Sequence, residues 1–228
     1  MFIKKTRISL VYASKCAVSF KKNRPLHLML VIYMVIFIIL SFKPVDWFEW
    51  WFENLASIII VALLAGLYRK YRLTNFSYVC ILILLVLHAM GAHYTYSFCP
   101  IGNWLKGFLG LKRNNFDRLV SFAFGLLVSF PVMELLYHKL RLRYIQACLL
   151  SSVIILSIFA LFKLYEMYSS MILSPKQGTV FLAIQGDIWD SQHDMAMGLL
   201  GSLATMGRCI FIRLIKNHKI HIIKNSSH

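Results

Sequence analysis

Three aspartates precede the last apolar segment of the chain, in the stretch QGDIWDSQHDMAMGLLGSL over residues 185–203. They are Asp187, Asp190 and Asp194. Their spacing of i, i+3 and i+7 places them on one face of a helix. The same face continues through Gly198, Gly201 and Thr205, small residues that let a neighbouring helix approach closely in lipid. The pattern therefore predicts a helix that packs through its small residues and presents carboxylates above them.

Four further titratable residues are predicted to lie at the same membrane depth. Two histidines end the third apolar segment, an aspartate begins the fourth and a glutamate ends the fifth. They are His88, His93, Asp117 and Glu166. Imidazole nitrogen and carboxylate oxygen are common ligands of zinc, iron and manganese, so a shared pocket would suit a divalent metal ion. No zinc-protease spacing such as His-Glu-x-x-His is present, and the metal hypothesis depends on convergence of the helices alone.

A structural interpretation of the same residues stands beside the chemical one. The acids could pair with Arg113, Arg118 and Lys163 and close polar gaps at the helix ends. Asp117 and Asp187 also stand where a helix N-terminus stabilises an anion. His93, which precedes two tyrosines, fits an interfacial aromatic belt equally well.

The composition indicates a membrane protein. The chain has 228 residues, of which 59% are hydrophobic and 15% charged, whereas soluble domains contain roughly 45–50% apolar residues. The net charge of +16 is scattered among short segments between apolar runs, so nucleic-acid binding is not expected. The sequence does not identify a protein partner.

Six apolar segments approach the roughly 17–25 helical residues that a bilayer requires. They cover residues 27–42, 55–68, 76–91, 116–137, 144–165 and 187–215, and the aromatic stretch WFEWWF at 47–52 extends the second of them upstream. We therefore predict an all-α, polytopic bundle of six transmembrane helices in one domain, 27–215. Basic tails at 1–26 and 216–228 are expected to contact anionic lipid. The loop at 97–115 fits either a short interfacial amphipathic helix or a plain connector.

The charges predict the orientation. With alternating segments, 18 of the 25 Lys and Arg residues lie on the same side as both termini, which the positive-inside rule assigns to the cytoplasm. Eight of the nine acids lie on the opposite side, and Glu134 is the exception.

Four stretches carry a family resemblance between residues 87 and 203: HAMGAHYTY, RNNFDRLVSFAFGLL, YEM and QGDIWDSQHDM. In this order they resemble the YjdF family of bacterial inner-membrane proteins. The resemblance implies a six-helix membrane fold in the inner membrane and a shared site, without an established reaction. The chain departs from the family pattern at Ser121, where a histidine usually follows the Asp-Arg pair, and at Ser169, where a second acid usually follows the Tyr-Glu pair.

A weaker similarity links DRLVSFAFGLL and DMAMGLLGSL to VanZ-like membrane proteins. By analogy it suggests work on lipids or the cell envelope.

Three functions remain open at this point. The first is an outward-facing metal-assisted or acid–base site that acts on a lipid or cell-envelope substrate. The second is cation or small-ligand binding or transport. Transport needs a polar path to both membrane faces, and Glu134 is the acid near the inner end. The third is a non-enzymatic role in which the polar cluster fastens the helices together.

Overall fold

The computed structural model describes residues 19–68, 70–172 and 185–225, and within these ranges the regular secondary structure is entirely helical. Several sequence-based predictions fall outside the described residues. They concern residues 1–18 of the predicted N-terminal tail, the side chain of Ser169 and residues 226–228 of the predicted C-terminal tail.

Seven α-helices follow a short 3-10 turn at Phe20–Lys22 in the described ranges. They are α1 (Arg24–Ser41), α2 (Trp47–Leu67), α3 (Asn75–His93), α4 (Pro100–Leu109), α5 (Phe116–His138), α6 (Tyr144–Ile172) and α7 (Asp190–Asn225). All except the ten-residue α4 are long and apolar enough to span a membrane. The prediction of an all-α, six-span membrane fold is confirmed.

An aspartate precedes the start of two helices and accepts backbone hydrogen bonds there. The second helix begins at Trp47, the first residue of the aromatic stretch predicted to extend its apolar run, and the Asp46 carboxylate caps it by accepting hydrogen bonds from the backbone N–H groups of Phe48 and Glu49 at 2.8 and 3.0 Å. The last helix begins at Asp190 rather than at residue 187, and the Asp187 carboxylate accepts a bond from the backbone N–H of Trp189 at 3.0 Å in the preceding turn. Asp187 therefore lies in the turn before the helix.

The last helix also continues further than predicted. Helix α7 has 36 residues and is about 54 Å long at ~1.5 Å per residue, well beyond the ~30 Å of a bilayer core. The predicted boundary between the membrane domain and a tail at 216–228 therefore falls inside a continuous helix.

Small residues bring α5 and α7 together, as the spacing in α7 predicts. A Cβ atom added at Gly125 would collide with the backbone of Gly198, and one added at Gly201 would collide with the backbone of Phe122. One turn further, the Thr205 hydroxyl donates to the Leu126 carbonyl at 2.6 Å. Helix α6 packs against both helices, and α3 packs on the other side of α5.

A serine cluster joins these three helices inside the bundle. The hydroxyl oxygens of Ser129 in α5 and Ser202 in α7 lie 2.7 Å apart. Ser202 donates to Ser152 of α6 at 2.9 Å, and Ser151 donates to the Ser129 carbonyl at 2.7 Å. In lipid, hydrogen bonds of this kind satisfy polar groups and hold the helices together.

The two ends of the bundle differ in charge. We call the end where α2, α5 and α7 begin the acidic end, because all the acids of the chain except Glu134 lie at or near it. The opposite end, where α1, α3 and α6 begin, is called the basic end.

Glu134 has a structural partner at the basic end. Its carboxylate accepts hydrogen bonds from the backbone N–H and hydroxyl of Thr74, at 2.8 and 2.9 Å, and from the hydroxyl of Ser77. These groups belong to the first turn of α3 and the residue before it. Glu134 thus fastens α5 to the start of α3.

Candidate functional site: a carboxylate-lined cavity

A cavity of about 170 Å³ lies at the acidic end between α2, α3, α5, α6 and α7. Its polar lining includes five carboxyl groups, one ammonium group, one imidazole and one phenol. They belong to Glu53, Asp117, Glu166, Asp190, Asp194, Lys163, His88 and Tyr96. Leucine, isoleucine, valine and phenylalanine side chains line the rest, so the cavity has a charged part and an apolar part.

Arg118 connects α5 to the beginning of α7. Its guanidinium donates to Asp187 at 2.8 Å, to Asp190 at 2.6 Å and to Asp194 at 3.4 Å. A further bond of 2.7 Å reaches the backbone carbonyl of Asp190. The planar, permanently charged guanidinium suits this role, since its donors can serve several carboxylates at once.

Arg113 supplies a second link to the same carboxylates from the loop before α5. It donates to Asp190 at 2.6 Å and to Asp117, its i+4 neighbour. Asn114 holds this loop in place, since its side-chain amide donates to the Cys99 carbonyl at 2.9 Å and its side-chain oxygen accepts from the Phe116 N–H at 3.1 Å. The loop is therefore fixed on both sides of the arginine.

Lys163 joins α6 to α7. Its ammonium lies 2.8 Å from a carboxylate oxygen of Glu166 and 2.8 Å from one of Asp194. Among the described side chains that line the cavity, Lys163 is the one with a permanent positive charge. Five carboxyl groups share this lining, so acidic groups outnumber basic ones there.

His88 is held by hydrogen bonds on both ring nitrogens. Nδ1 accepts from the Tyr96 hydroxyl at 2.5 Å, and Nε2 donates to the backbone carbonyl of Glu53 at 3.0 Å. Burial raises the pKa of the Tyr96 phenol well above its usual value, and the nearby carboxyl groups of Glu53 and Glu166 act in the same direction. Tyr96 therefore remains protonated and is the donor to the neutral imidazole.

Glu53 is the least compensated acid in the cavity lining. The residue is only 6% exposed, and the nearest ionisable nitrogen at ion-pair distance among the described residues is the neutral His88 Nε2, 3.7 Å away and beyond hydrogen-bond distance. Glu49, one turn earlier in α2, is 3% exposed, and neither of its carboxyl oxygens has a hydrogen-bond partner in the part of the chain that the structure describes. Glu49 does not line the cavity. Burial of such groups without a partner is costly in free energy.

The structure brings five of the seven sequence-predicted site residues into the cavity lining: His88, Asp117, Glu166, Asp190 and Asp194.

The other two predicted residues lie elsewhere. Asp187 lies beside the cavity, where its carboxylate bonds Arg118 and His193 and accepts from the backbone N–H of Trp189 in the turn before α7. His93 lies outside the cavity, because its Nδ1 donates to the Leu40 carbonyl at 2.7 Å and its ring packs edge-on against Tyr94. His93 therefore joins the end of α3 to α1.

Ser121 lines the cavity and is buried. The position at which the family resemblance leads us to expect an imidazole thus carries a hydroxyl.

Sequence reasoning did not include Glu53 and Tyr96 in the site. A signal for Glu53 was available, because an ionisable residue inside an apolar, aromatic helix indicates a functional position by default. Its helix begins WFEWWFEN, with Glu49 and Glu53 one turn apart. No comparable signal marks Tyr96, which reaches His88 through the turns that follow α3.

Three of the aspartates are close enough to share a cation. Asp117, Asp190 and Asp194 each offer a carboxylate oxygen within 4.8 Å of the others. Carboxylate oxygens suit hard divalent cations such as Mg²⁺ and Mn²⁺. The guanidinium groups of Arg113 and Arg118 already donate to these aspartates, so a metal ion would compete with them.

The loop between α3 and α5 contains a short helix, in agreement with one of its two predicted forms, while its predicted position in the membrane interface stays a prediction. Helix α4 exposes Trp104 and Phe108, whose rings stack with centroids 5.6 Å apart, while Gly102 is buried. A Cβ at Gly102 would collide with Asn114 and Phe116. The helix is therefore amphipathic and packs beside the loop that positions Arg113.

The fold and this cavity define a class: polytopic membrane proteins of six helices with an acid-rich cavity near one membrane surface. The family model described as "Predicted membrane protein (DUF2238)" matches residues 25–214, and the chain belongs to this family. Inner membrane protein YjdF of Escherichia coli (strain K12) is 34% identical over 163 residues, which cover 71% of this chain and 77% of that protein. No solved structure matches. The predicted resemblance to the YjdF family is confirmed, and the chain is a multi-pass inner-membrane protein.

Proposed function

We propose that the cavity is an acid–base site that acts on the polar group of a lipid or cell-envelope substrate at the outer surface of the inner membrane. The supporting observation is Glu53, a buried carboxyl without a hydrogen-bonding cation that lines a cavity with both charged and apolar parts. A carboxyl in such surroundings can accept or release a proton at neutral pH.

The size of the cavity supports a substrate that enters only in part. A volume of about 170 Å³ is below the roughly 300–1,000 Å³ of pockets that enclose whole small molecules. The charged part would hold the polar group, while the hydrocarbon of the substrate stays in the bilayer. The distribution of basic residues supports an acidic end that faces away from the cytoplasm, with both termini inside.

The roles divide according to ion pairing. Asp117, Asp190 and Asp194 are paired with arginine or lysine, so they would set the field and orient the substrate. Glu53 would transfer the proton, and His88, fixed on both nitrogens, would position the Glu53 backbone. Positive charge that develops on the substrate would be stabilised by the excess of carboxylates.

Substitution at the chromosomal locus of the native bacterium tests the proposal. Lipid and envelope extracts are compared by mass spectrometry among cells with the wild-type protein, with Glu53→Gln and with the gene deleted. We expect Glu53→Gln to reproduce the change caused by deletion while the protein accumulates to normal amounts. The proposal fails if the Glu53→Gln extract matches the wild-type extract.

Glu49→Gln is the matched control. Glu49 lies on the same helix one turn away and is equally buried, but it is outside the cavity lining. Its variant is expected to give the wild-type extract. A change equal to that of Glu53→Gln would show that any buried charge on α2 matters and would contradict an assignment to the cavity.

Binding of a divalent cation is a second candidate function, supported by the 4.8 Å grouping of Asp117, Asp190 and Asp194. The measurement is metal content of protein purified without chelator, compared with Asp190→Asn. About one metal ion per chain that is lost in the variant would support binding. Background metal in both proteins would remove this candidate and leave the acid–base proposal intact.

A further inference from the structure

A second cavity, larger than the first, lies at the basic end of the bundle. It has a volume of about 710 Å³. The halves of α1, α2 and α3 nearest the basic end form it, together with the 3-10 turn before α1. We call it the basic-end groove. Its volume lies within the roughly 300–1,000 Å³ usual for ligand pockets, so it can enclose a sizeable apolar group.

The groove exists because α1 and α2 both pack on α3 while their halves at the basic end leave space between them. Near the acidic end the two helices meet through Phe37 and Trp50, whose ring centroids lie 5.7 Å apart. Towards the basic end, Leu26 and Met29 of α1 face Leu64 of α2 across the groove. The walls are therefore apolar, as a hydrocarbon chain requires.

The depth of the groove matches a lipid acyl chain that enters from one leaflet of the bilayer. Its lining on α1 extends from Leu26 to Tyr33 and its lining on α3 from Tyr78 to Leu85. Seven residues of helix correspond to about 10 Å, a third of a bilayer core ~30 Å thick. The groove therefore begins at the basic surface and ends within the adjacent leaflet.

The mouth of the groove is basic. Lys21 and Arg72 are part of its lining, and Lys22 and Arg24 follow Lys21 as exposed residues. The chain contains no acidic residue between positions 1 and 45 or between 54 and 116. The carboxyl group on this side of the bundle, Glu134, is bonded to Thr74 and Ser77.

Contacts at the mouth fix its shape. The Phe20 ring packs edge-on against His27 and Tyr68, with centroids 4.7 and 5.6 Å away. The Asn23 amide donates to Asn75 at 3.0 Å. The turn that carries Lys21 is therefore held against the loop between α2 and α3, which carries Arg72.

We propose that the basic-end groove binds an anionic phospholipid of the adjacent leaflet, with an acyl chain between α1 and α2 and its phosphate at Lys21 and Arg72. Basic pockets between transmembrane helices commonly bind such headgroups. The apolar walls suit the acyl chain, and the two cations Lys21 and Arg72 suit the phosphate. The charge and the shape of the groove therefore favour the same ligand. Among the described lining residues, this groove meets the acid-rich cavity only at Leu85, which lines both, and the proposal does not depend on the function of that cavity.

Native mass spectrometry of the full-length protein tests the proposal. The protein is exchanged into mild detergent with either phosphatidylglycerol or phosphatidylcholine, and the lipid retained per chain is measured. We expect retention of phosphatidylglycerol only, and a loss of roughly tenfold or more in its affinity in the double variant Lys21→Gln/Arg72→Gln. The variant Lys22→Gln/Lys70→Gln is the control, since it removes two exposed charges of the same end that are outside the lining.

A second variant tests the acyl-chain part without a change of charge. Ala65→Trp places an indole in the groove from α2 and is expected to reduce phosphatidylglycerol retention while the mouth stays basic. Equal loss in the double variant and in its control would overturn the proposal, because binding would then follow general charge. The proposal would also be overturned if the wild-type protein retained neither phospholipid. The N-terminal residues or a second copy of the chain would then be the expected occupant of the groove.

Discussion

Removal of the Arg118 guanidinium is the sharpest test of what holds the acidic end together. Arg118→Met keeps much of the side-chain volume but leaves Asp187, Asp190 and Asp194 without the donor that they share. We expect the variant to lose the link between α5 and the start of α7, because the acids then face one another with fewer cations.

The magnitude follows from burial. The Arg118 side chain is 12% exposed, and those of Asp190 and Asp194 are 7% and 3% exposed. Removal of one partner from a buried ion pair typically costs about 3–5 kcal/mol. Arg113 still serves Asp190 and Lys163 still serves Asp194, so we expect the lower end, a loss of about 3 kcal/mol in the free energy of unfolding.

The assay is unfolding in mixed micelles of mild detergent and SDS, followed by far-UV circular dichroism. Lys112→Met is the matched control, since Lys112 is an exposed cation on the loop before α5, and such surface changes usually stay within about 0.5 kcal/mol. Asp190→Asn added to Arg118→Met should recover part of the loss, because it removes one of the carboxylates that Arg118 no longer neutralises and so lowers the remaining excess of negative charge. Equal stability of Arg118→Met and Lys112→Met would refute the reasoning.

Three further variants probe other contacts by the same unfolding assay. Gly125→Ala should destabilise the protein by about 1–3 kcal/mol, because its Cβ meets the backbone of α7; Gly66→Ala, with open space around it, should not. Tyr96→Phe should cost about 1–3 kcal/mol, since Nδ1 of His88 loses its donor. Glu134→Gln should cost a similar amount, because an amide N–H₂ would face the donors of the first turn of α3, and wild-type stability in this variant would contradict its structural role.

The number of helices could be predicted from the sequence because a bilayer requires long apolar runs and the chain contains six of them. Helix starts were less predictable. At α2 the apolar run is interrupted by Glu49 and Glu53, so hydropathy alone starts the helix at residue 55, whereas the aromatic stretch that extends it and the Asp46 cap both place the start at Trp47. Capping depends on one side chain, while hydropathy averages over many residues.

The depth of the site residues was easier to predict than the direction in which they point. Topology assigns His88 and His93 to the same end, but they are five residues apart and thus about 140° apart around the helix at 100° per residue. They cannot both face one cavity, and the structure turns His88 towards it. In a membrane helix most faces are apolar, so hydropathy leaves the rotation of the helix open.

Ion pairing alone can explain why most of the acidic residues are present at the acidic end, without any function for them. Five of the acids there are each within ion-pair distance of Arg113, Arg118 or Lys163, namely Asp117, Asp187, Asp190, Asp194 and Glu166. A purely structural cluster of this kind would fasten α5, α6 and α7 together. It does not account for Glu53, which reaches no arginine or lysine at ion-pair distance among the described residues.

Stability measurements can separate a structural Glu53 from a functional one. A buried carboxyl that no donor satisfies destabilises a fold, so its neutral replacement should leave stability unchanged or raise it. We therefore expect Glu53→Gln and Glu49→Gln both to unfold at SDS concentrations equal to or above that of the wild type, while only Glu53→Gln changes the envelope extract. Functional sites often retain groups that reduce stability in this way. A loss as large as that of Arg118→Met in the Glu53→Gln protein would instead make the Glu53 carboxyl part of the structural network.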